Sequence, residues 1–219
     1  MEVPKSWTFK TSEVAGAFDK HVREQLPWYE QLTDLVATVA KAYPPEGGRA
    51  YDVGASTGNI GRALAETIEA RGIRWTGIEN SEAMRPMYNA PGVLEITDAV
   101  TYEYKQCDLV VCFLTLMFFP VDIRVHWLRE IHKKLRVGGA IIVVDKEEPA
   151  GGVLSSSIHR HVMLSKLKAG TSAEDVLKKE FSLDGIQRPI KRGMLSAIGA
   201  EEIFRFGDFV AYVLEKKES

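Results

Sequence analysis

Residues 51–58, with the sequence YDVGASTG, have the composition of a loop that presses its backbone against a small ligand. The segment connects a predicted strand, 49–53, to a predicted helix, 58–71. Gly54 allows a tight turn and Gly58 allows a close approach at the helix start, because neither residue carries a Cβ. In this position a loop can bind a ligand at the carboxyl edge of a sheet, and dinucleotide-binding proteins place a pyrophosphate there. Gly54 and Gly58 are therefore candidate binding residues.

Acidic and amide side chains stand at the ends of three successive predicted strands. Asp52 closes the first strand, and its negative charge would repel a pyrophosphate, which argues against a dinucleotide. Glu79 and Asn80 follow the second strand, where a carboxylate can accept hydrogen bonds from both hydroxyls of a ribose. Asp98 follows the third strand and is placed to meet an adenine amino group. The carboxyl ends of parallel strands meet at one edge, so these groups predict a site for an adenosine-containing cofactor.

The elements that must position these residues alternate between strand and helix. Strands are predicted over 49–53, 74–79, 93–97, 108–113 and 140–145, the last after Gly138-Gly139. Helices are predicted over 28–43, 58–71 and 81–89, and a fourth is predicted to start with Asp122 as its cap. Two final runs, 201–206 and 208–215, are joined by a turn so short that they must be antiparallel. The pattern predicts an α/β fold with a mostly parallel seven-stranded sheet, helices on both faces and a C-terminal antiparallel hairpin.

Length and composition fit one globular domain, 1–219, with an N-terminal helical cap over 1–45 and a helical insertion or lid over 147–192. A net charge of −2 gives no bulk attraction to nucleic acid or acidic lipid. Cys107 and Cys112 are predicted to be buried free thiols, which suits a reducing compartment. No run reaches the roughly 20 apolar residues of a membrane span, and no metal site is indicated. We expect a cytoplasmic protein that does not enter a membrane.

A serine hydrolase is an alternative interpretation of the same loop. Residues 54–58 also match the Gly-x-Ser-x-Gly nucleophile elbow, with Ser56 as the nucleophile. A hydrolase needs a histidine after its last strand, whereas His126 and His132 fall in a predicted helix and His159 and His161 in the insertion. The elbow also comes too early in the chain for that fold. The hydrolase therefore stays a remote alternative.

Taken together, the motifs resemble those of the class I S-adenosylmethionine-dependent methyltransferases, and most closely the carboxy-S-adenosylmethionine synthases. The matching segments lie at Phe18-Asp19, at 27–29 (PWY), 51–56 (YDVGAS), 79–84 (ENSEAM), 114–118 (LTLMF) and 135–140 (LRVGGA), and at Asp145-Lys146. The resemblance extends from about residue 18 to residue 217. It implies a Rossmann-like methyltransferase fold, S-adenosylmethionine as cofactor and, for the closest relatives, conversion of that cofactor with prephenate into a carboxylated product.

The resemblance also implies roles for residues in the cofactor pocket. Tyr29 would close over the cofactor, Gly54 and Ser56 would line it, Glu79 and Asn80 would hold the ribose, and Asp98 would hold the adenine. Two positions depart from the synthases. Phe113 stands where the synthases have a cofactor-contacting asparagine. Glu180 aligns with the arginine that binds the new carboxylate. Two neighbouring carboxylates repel each other, so an acid cannot take over the role of that arginine. Lys178 or Lys179 could replace that arginine if the alignment shifts.

Methyl transfer to an unidentified acceptor is therefore the leading prediction, with a synthase-like reaction in the same pocket as the alternative. The acceptor is expected to be a small molecule or related to tRNA. No catalytic base is assigned, and the candidates are His159 and His161 in the insertion and Tyr102, an aromatic residue that could line the acceptor pocket. The oligomeric state stays open, with a homodimer as one outcome.

Overall fold

A seven-stranded sheet forms the centre of the protein in its computed structural model, which describes residues 19, 22–23 and 25–218. Phe18 and most of the first half of the predicted cap, 1–45, lie outside the described residues. The strand order is β3-β2-β1-β4-β5-β7-β6. The strands are β1 Arg49–Val53, β2 Arg74–Glu79, β3 Val93–Ile96, β4 Cys107–Phe113, β5 Leu135–Lys146, β6 Glu201–Phe206 and β7 Phe209–Glu215. The first five strands pair in parallel and β7 runs antiparallel to both β5 and β6, which confirms the predicted fold class.

Seven helices connect or flank the strands in the described part of the chain. They are α1 Tyr29–Ala40, α2 Asn59–Ala63, α3 Ala65–Ala70, α4 Arg124–Lys134, α5 Gly152–Lys168, α6 Ala173–Ser182 and α7 Met194–Ala197. Two 3₁₀ turns, Glu82–Met87 and Leu116–Phe118, follow β2 and β4. Helices pack against both faces of the sheet.

Four element predictions need correction. The single helix expected over 58–71 is broken at Leu64, which leaves helical geometry. The expected helix 81–89 is a 3₁₀ turn, because Pro86 has no N–H to donate. The predicted cap Asp122 does not cap α4: Ile123 holds that position, and no side chain caps the helix. β5 starts at Leu135 rather than after the glycines, because Gly139 lies so close to Asp108 O that a Cβ would be 2.7 Å from it.

Two apolar layers cover the sheet because successive side chains of its central strands point to opposite faces. Val110 and Cys112 of β4 pack towards α4, whose Trp127, Leu128 and Ile131 are buried. The alternate β4 residues pack on the other face with α1, α2 and α3. Both cysteines are buried free thiols, which confirms that prediction. Sheet and layers together hold the strand ends in fixed positions.

The insertion 147–192 contains α5 and α6 and lies between β5 and β6 in the chain. Its ends are tied to the sheet, since the N–H of Ile190 donates to Lys146 O at 2.8 Å and the N–H of Glu148 donates to Ile190 O at 2.8 Å. α5 has no buried residue, so this helix rests loosely on the rest of the molecule. No helix in the described ranges is long and apolar enough to cross a membrane.

Candidate functional site

A cavity of about 610 Å³ opens at the carboxyl ends of β1, β2 and β4. It lies where the strand order reverses between β1 and β4, which is the usual ligand position in open α/β sheets. Its volume falls in the roughly 300–1,000 Å³ range of small-molecule sites. Eight of the nine sequence-predicted cofactor residues line it: Tyr29, Asp52, Gly54, Ser56, Glu79, Asn80, Asp98 and Phe113.

The glycine loop is held against the neighbouring strands by its own backbone. The N–H groups of Gly54 and Ala55 both donate to Ile78 O, at 2.8 and 3.1 Å. Gly54 has a φ of +71°, and a Cβ there would be 2.4 Å from Thr115 Oγ1. Glycine is therefore required by the approach of Thr115 as well as by any ligand. Ser56 adopts a φ of +50°, which is uncommon for a residue with a side chain.

Glu79 is fixed by backbone donors at the end of β2. Its Oε2 accepts the N–H of Ser56 at 2.9 Å and its Oε1 accepts the N–H of Ser81 at 3.0 Å. Burial raises the pKa of Glu79, while hydrogen bonds from the N–H groups of Ser56, Ser81 and Asn80 act against that rise. Each carboxylate oxygen keeps acceptor capacity for a ligand hydroxyl.

Asp52 is almost completely buried, and its Oδ2 has no hydrogen-bond partner among the described residues. Burial, followed by the charge of Glu79, raises the pKa of Asp52 to about 7. The charge of Arg62 and the N–H of Gly61 act in the opposite direction. A buried oxygen without a partner is costly, and an ammonium group in the cavity would satisfy it.

The remaining predicted residues border the same cavity. Asp98 is exposed at the rim, where its Oδ1 accepts the N–H of Val100 at 2.8 Å, and Asn80 is also exposed. The rings of Tyr29 and Phe113 meet edge to face with centroids 5.4 Å apart. The lining of the cavity thus combines carboxylates with an aromatic pair, which suits a ligand that has both polar and apolar parts.

Several residues do not lie where the sequence placed them, and others were missed. Gly58 is outside the cavity lining and faces Ala90, where a Cβ would be 2.8 Å from the Ala90 Cβ. Tyr102 also lies away from the cavity, and its hydroxyl donates to Glu95 at 3.3 Å. The missed lining residues include Asn59, Met84, Thr115 and Ile186. Thr115 follows β4 by two residues, so the strand-end rule could have found it. Ile186 comes from the insertion, and no local pattern indicates it.

A second cavity, of about 620 Å³, adjoins the first and shares Leu114 and Phe118 with it. It lies between the insertion and the turn joining β6 to β7, and it contains the predicted base candidates His159 and His161. Four aromatic side chains contribute to its largely apolar lining: Trp28, Phe118, Phe206 and Phe209.

Charged groups gather in one part of the second cavity. Lys166 Nζ lies 2.8 Å from Glu180 Oε1. Burial favours a higher pKa for Glu180, but the hydrogen bond from Lys166 and the charges of Lys166, Lys146 and His159 bring the pKa below its usual value. Burial, together with the charge of Lys166, lowers the pKa of Lys179 to about 8. Glu180 is therefore compensated from several sides rather than isolated.

Among the histidines that the structure describes, none serves as the base that the hydrolase alternative needs. The Ser56 hydroxyl contacts Met84 Sδ at 3.7 Å. His126 and His132 lie on α4, and His159 and His161 line the second cavity without bordering the first. None of these four histidines is paired with Ser56, so the loop has the shape of an elbow without its catalytic partner.

Comparisons with known proteins place the loop and strands in context. A family model described as a methyltransferase domain matches residues 51–143. The chain is 26% identical to carboxy-S-adenosyl-L-methionine synthase of Staphylococcus epidermidis, over 97% of this chain and 98% of that protein. It is 28% identical to the protein of the same name from Wolinella succinogenes, over 100% of this chain and 97% of that one. These similarities span nearly the full length of each relative.

A solved structure supports the same conclusion for the fold. A proposed S-adenosyl-L-methionine-dependent methyltransferase from Methanococcus maripaludis matches with a TM-score of 0.58 at 16% identity, covering 100% of this chain and 99% of that one. Together the comparisons confirm the prediction of an S-adenosylmethionine-dependent transferase. The chain therefore has the Rossmann-like fold of the class I S-adenosylmethionine-dependent methyltransferases, and its residues 51–143 match the methyltransferase domain model.

Proposed function

We propose that the protein transfers the methyl group of S-adenosylmethionine to an acceptor bound in the second cavity. The observation that carries the proposal is the meeting of Asp52, Glu79 and Asp98 along one cavity at the strand ends. Their positions in that cavity suit an ammonium group, a ribose and an adenine in that order. The unpartnered Asp52 Oδ2 supports this fit, because a cofactor ammonium would supply the missing donor.

When bound, the cofactor supplies a positively charged sulfonium with a transferable methyl group. The chain's own residues then have to orient it. Glu79 accepts the ribose hydroxyls while the N–H groups of Ser56 and Ser81 hold its carboxylate still. Tyr29 and Phe113 form an apolar wall that excludes water from the reacting side. Positioning of this kind is the main requirement for an in-line displacement.

Isothermal titration calorimetry with S-adenosylhomocysteine tests the cofactor site. We expect a single site per chain, with binding lost or strongly weakened when Asp52 and Glu79 are both replaced by Ala. Asp34→Ala, in α1, is the matched control because it does not border the cavity. Equal affinity of the double variant and the wild type would show that the cofactor binds elsewhere.

The setting of the reaction is part of the proposal. Cys107 and Cys112 are buried free thiols, which supports the cytoplasm as a reducing location. The acceptor is a small molecule, or a group on a tRNA that reaches the second cavity, with His159 or His161 as the base if the acceptor needs one. The chain acts as one domain with the insertion 147–192 as its lid, and a homodimer is an expectation that gel filtration tests.

A synthase-like reaction is the second candidate, favoured by the similarity to the carboxy-S-adenosyl-L-methionine synthases and by the lysines of the second cavity. Lys178 cannot serve it, since its Nζ lies 2.7 Å from Glu174 on the exposed side of α6. Lys179 lines the cavity next to Glu180 and could oppose a carboxylate. Phe113 and Glu180 still place an apolar ring and an acid where the synthases have polar and cationic contacts.

Mass spectrometry separates the two reactions. Purified protein is incubated with S-adenosylmethionine and prephenate, and the carboxylated cofactor is measured against a sample without prephenate. We expect no carboxylated product. Turnover that Lys179→Met abolishes and Lys168→Met preserves would replace the methyltransferase proposal by the synthase.

A further inference from the structure

The turn between β6 and β7 brings an unsatisfied carboxylate into the second cavity. Asp208 lines that cavity, and its Oδ1 is buried with no hydrogen-bond partner among the described residues. Its main-chain oxygen is occupied, because it accepts the N–H of Glu147 at 2.7 Å. The backbone of the turn is therefore held by a hydrogen bond, whereas the side-chain oxygen Oδ1 can still accept one from a ligand. A buried acceptor without a partner is expensive, and a ligand hydroxyl or N–H would remove that cost.

The lysine group provides the opposite chemistry in the same cavity. Lys146, Lys166 and Lys179 line it, against the two carboxylates of Glu180 and Asp208, so the lysines outnumber the carboxylates by one, apart from the two histidines. The side chain of Lys166 is only 12% exposed, and burial holds the pKa of Lys179 at about 8. Cations in such a partly dry setting attract an anion more strongly than they would in water.

The rest of the lining is largely apolar, with polar side chains such as Gln25 and Gln187 among it, and it sets the body of the ligand. Aromatic rings from four elements face the space, and the cavity of about 620 Å³ has room for a bicyclic or similar molecule. Flat rings pack well against such side chains. The second cavity therefore offers a cationic group, an apolar middle and a hydrogen-bond acceptor.

We propose that the second cavity binds an apolar carboxylic acid that also carries a hydrogen-bond donor, with the acid at the lysine group and the donor on Asp208. This rests on the proposed function, since it names the chemical class of the acceptor. The excess of one lysine over the carboxylates favours a monoanion. The donor on Asp208 is a hydroxyl or an N–H, and Asp208 is the residue that selects for it.

Calorimetry with three rigid probes tests this inference on the full-length protein. The probes are 6-hydroxy-2-naphthoate, 2-naphthoate and 2-naphthol, which carry the acid and the donor, the acid alone and the donor alone. We expect the first to bind about tenfold more tightly than either of the others, the scale of one hydrogen bond to a charged group. 2-Naphthyl phosphate is expected to bind no more tightly than 2-naphthoate. Tighter binding of the phosphate would replace the carboxylic acid by a phosphorylated ligand.

Variants assign the two ends of the ligand. Asp208→Ala should remove the advantage of the hydroxyl and leave 2-naphthoate within twofold, while the exposed Asp184→Ala changes neither. Lys179→Met should weaken both acids by about fivefold or more and leave 2-naphthol unchanged, and Lys168→Met is its control. Glu180→Gln should strengthen acid binding, because it removes the carboxylate that competes for Lys166.

Each outcome decides between the proposals. Equal affinity for the three probes, or variants that shift all three alike, would overturn this inference. If none of the probes binds the wild-type protein while S-adenosylhomocysteine still binds, this inference would be overturned and the cofactor site would be unaffected. Probe binding with the predicted variant pattern but without S-adenosylhomocysteine binding would support the cavity and overturn the methyltransferase proposal. Circular dichroism of each variant checks that the fold is retained.

Discussion

Two buried carboxylates of the first cavity differ in what their neighbours offer them. Glu79 accepts backbone N–H groups from both sides, so its charge is stabilised before any ligand arrives. Asp52 has an oxygen without a partner and a pKa raised to about 7. Glu79 is therefore organised for binding in the free protein, whereas Asp52 gains its partner from the ligand.

Glu79→Ala should weaken S-adenosylhomocysteine binding by about tenfold or more, because two hydrogen bonds from hydroxyls to a carboxylate are lost. The N–H groups of Ser56 and Ser81 lose their acceptor as well, so part of the effect comes through the loop. Glu79→Gln keeps one acceptor oxygen, so its affinity for S-adenosylhomocysteine should lie between that of the wild type and that of Glu79→Ala. Calorimetry measures the affinity, and a change within twofold for Glu79→Ala would falsify the ribose role.

Asp52 predicts that cofactor affinity depends on pH. A cofactor ammonium binds the ionised carboxylate, and burial keeps Asp52 protonated below a pKa of about 7. Affinity for S-adenosylhomocysteine should therefore rise severalfold from pH 6 to pH 7.5. Asp52→Asn should bind weakly with little change over that range. A titration series in matched buffers measures both, and Asp98→Asn serves as the control that keeps the pH dependence.

The same raised pKa gives a stability effect of known sign in the free protein. The folded state holds the Asp52 proton up to about pH 7, whereas an unfolded chain releases it near the ordinary aspartate pKa of 3.8. The contribution of Asp52 to stability is thus complete below pH 3.8 and lost as pH rises through 7. Relative to wild type, Asp52→Asn should raise Tm at pH 8 and have a smaller effect at pH 5. Thermal unfolding measures the Tm difference between Asp52→Asn and wild type at both pH values. The same difference at pH 5 and at pH 8 would contradict this prediction.

At the scale of elements, the turn from β1 into α2 depends on the loop after β4. A Cβ on Gly54 would lie 2.4 Å from Thr115 Oγ1, and that hydroxyl already donates to Val53 O at 2.9 Å. Gly54→Ala should therefore cost about 2–4 kcal/mol, from overpacking and from a positive φ. Gly138→Ala is the matched control, because its φ is +79° and nothing lies within 4 Å of the added Cβ.

Chemical denaturation measures both glycine variants. Gly138→Ala should cost about 1–2 kcal/mol, from the positive φ alone. The difference between the variants isolates the contact with Thr115. Equal costs would mean that the loop moves away without penalty. Because Gly54→Ala disturbs the turn in the free protein, a loss of cofactor binding in this variant would not by itself prove a ligand contact.

The sequence predicts the elements whose pattern is local. β1, β2 and β6 have the predicted ends, because apolar runs and turn residues set those limits. The carboxylates of the cofactor cavity follow from the rule that parallel strands end at one edge. The contact between Gly54 and Thr115 joins segments about 60 residues apart, and so does the tie of Glu147 to Asp208. Such contacts depend on tertiary packing, so no window of sequence reveals them.

At the scale of the whole molecule, the two cavities lie side by side along one edge of the sheet. The loop after β4 forms their common wall through Leu114 and Phe118. Leu114 has a φ of +58°, and its N–H donates to Val144 O at 2.7 Å, so β5 holds the strained turn in place. The separation of the cavities therefore depends on how firmly this loop is tied to the sheet and to the insertion.

Arg124, the first residue of α4, makes the tie to the insertion. Its side chain is buried, and its guanidinium donates to Met117 and Phe119 in the loop and to Arg188 and Pro189 in the insertion, at 2.9–3.2 Å. Arg124→Met removes the guanidinium donors of Phe119, Arg188 and Pro189 in a buried setting, whereas Met117 O keeps the N–H of Arg188. We expect a loss of about 3–5 kcal/mol, or a Tm lower by about 6–20 °C for a chain of this size.

Loosening this tie should also change how the insertion behaves. Arg124→Met should be cut by trypsin within 147–192 faster than wild type at a temperature where both remain folded. Arg124→Lys retains a positive charge but has only three donors on a compact head. Its rate of cleavage should therefore lie between those of wild type and Arg124→Met. The exposed Arg129→Met on the same helix should match wild type. If Arg124→Met lost stability without faster cleavage of the insertion, the guanidinium would support the core alone, and the two cavities would not share one anchor.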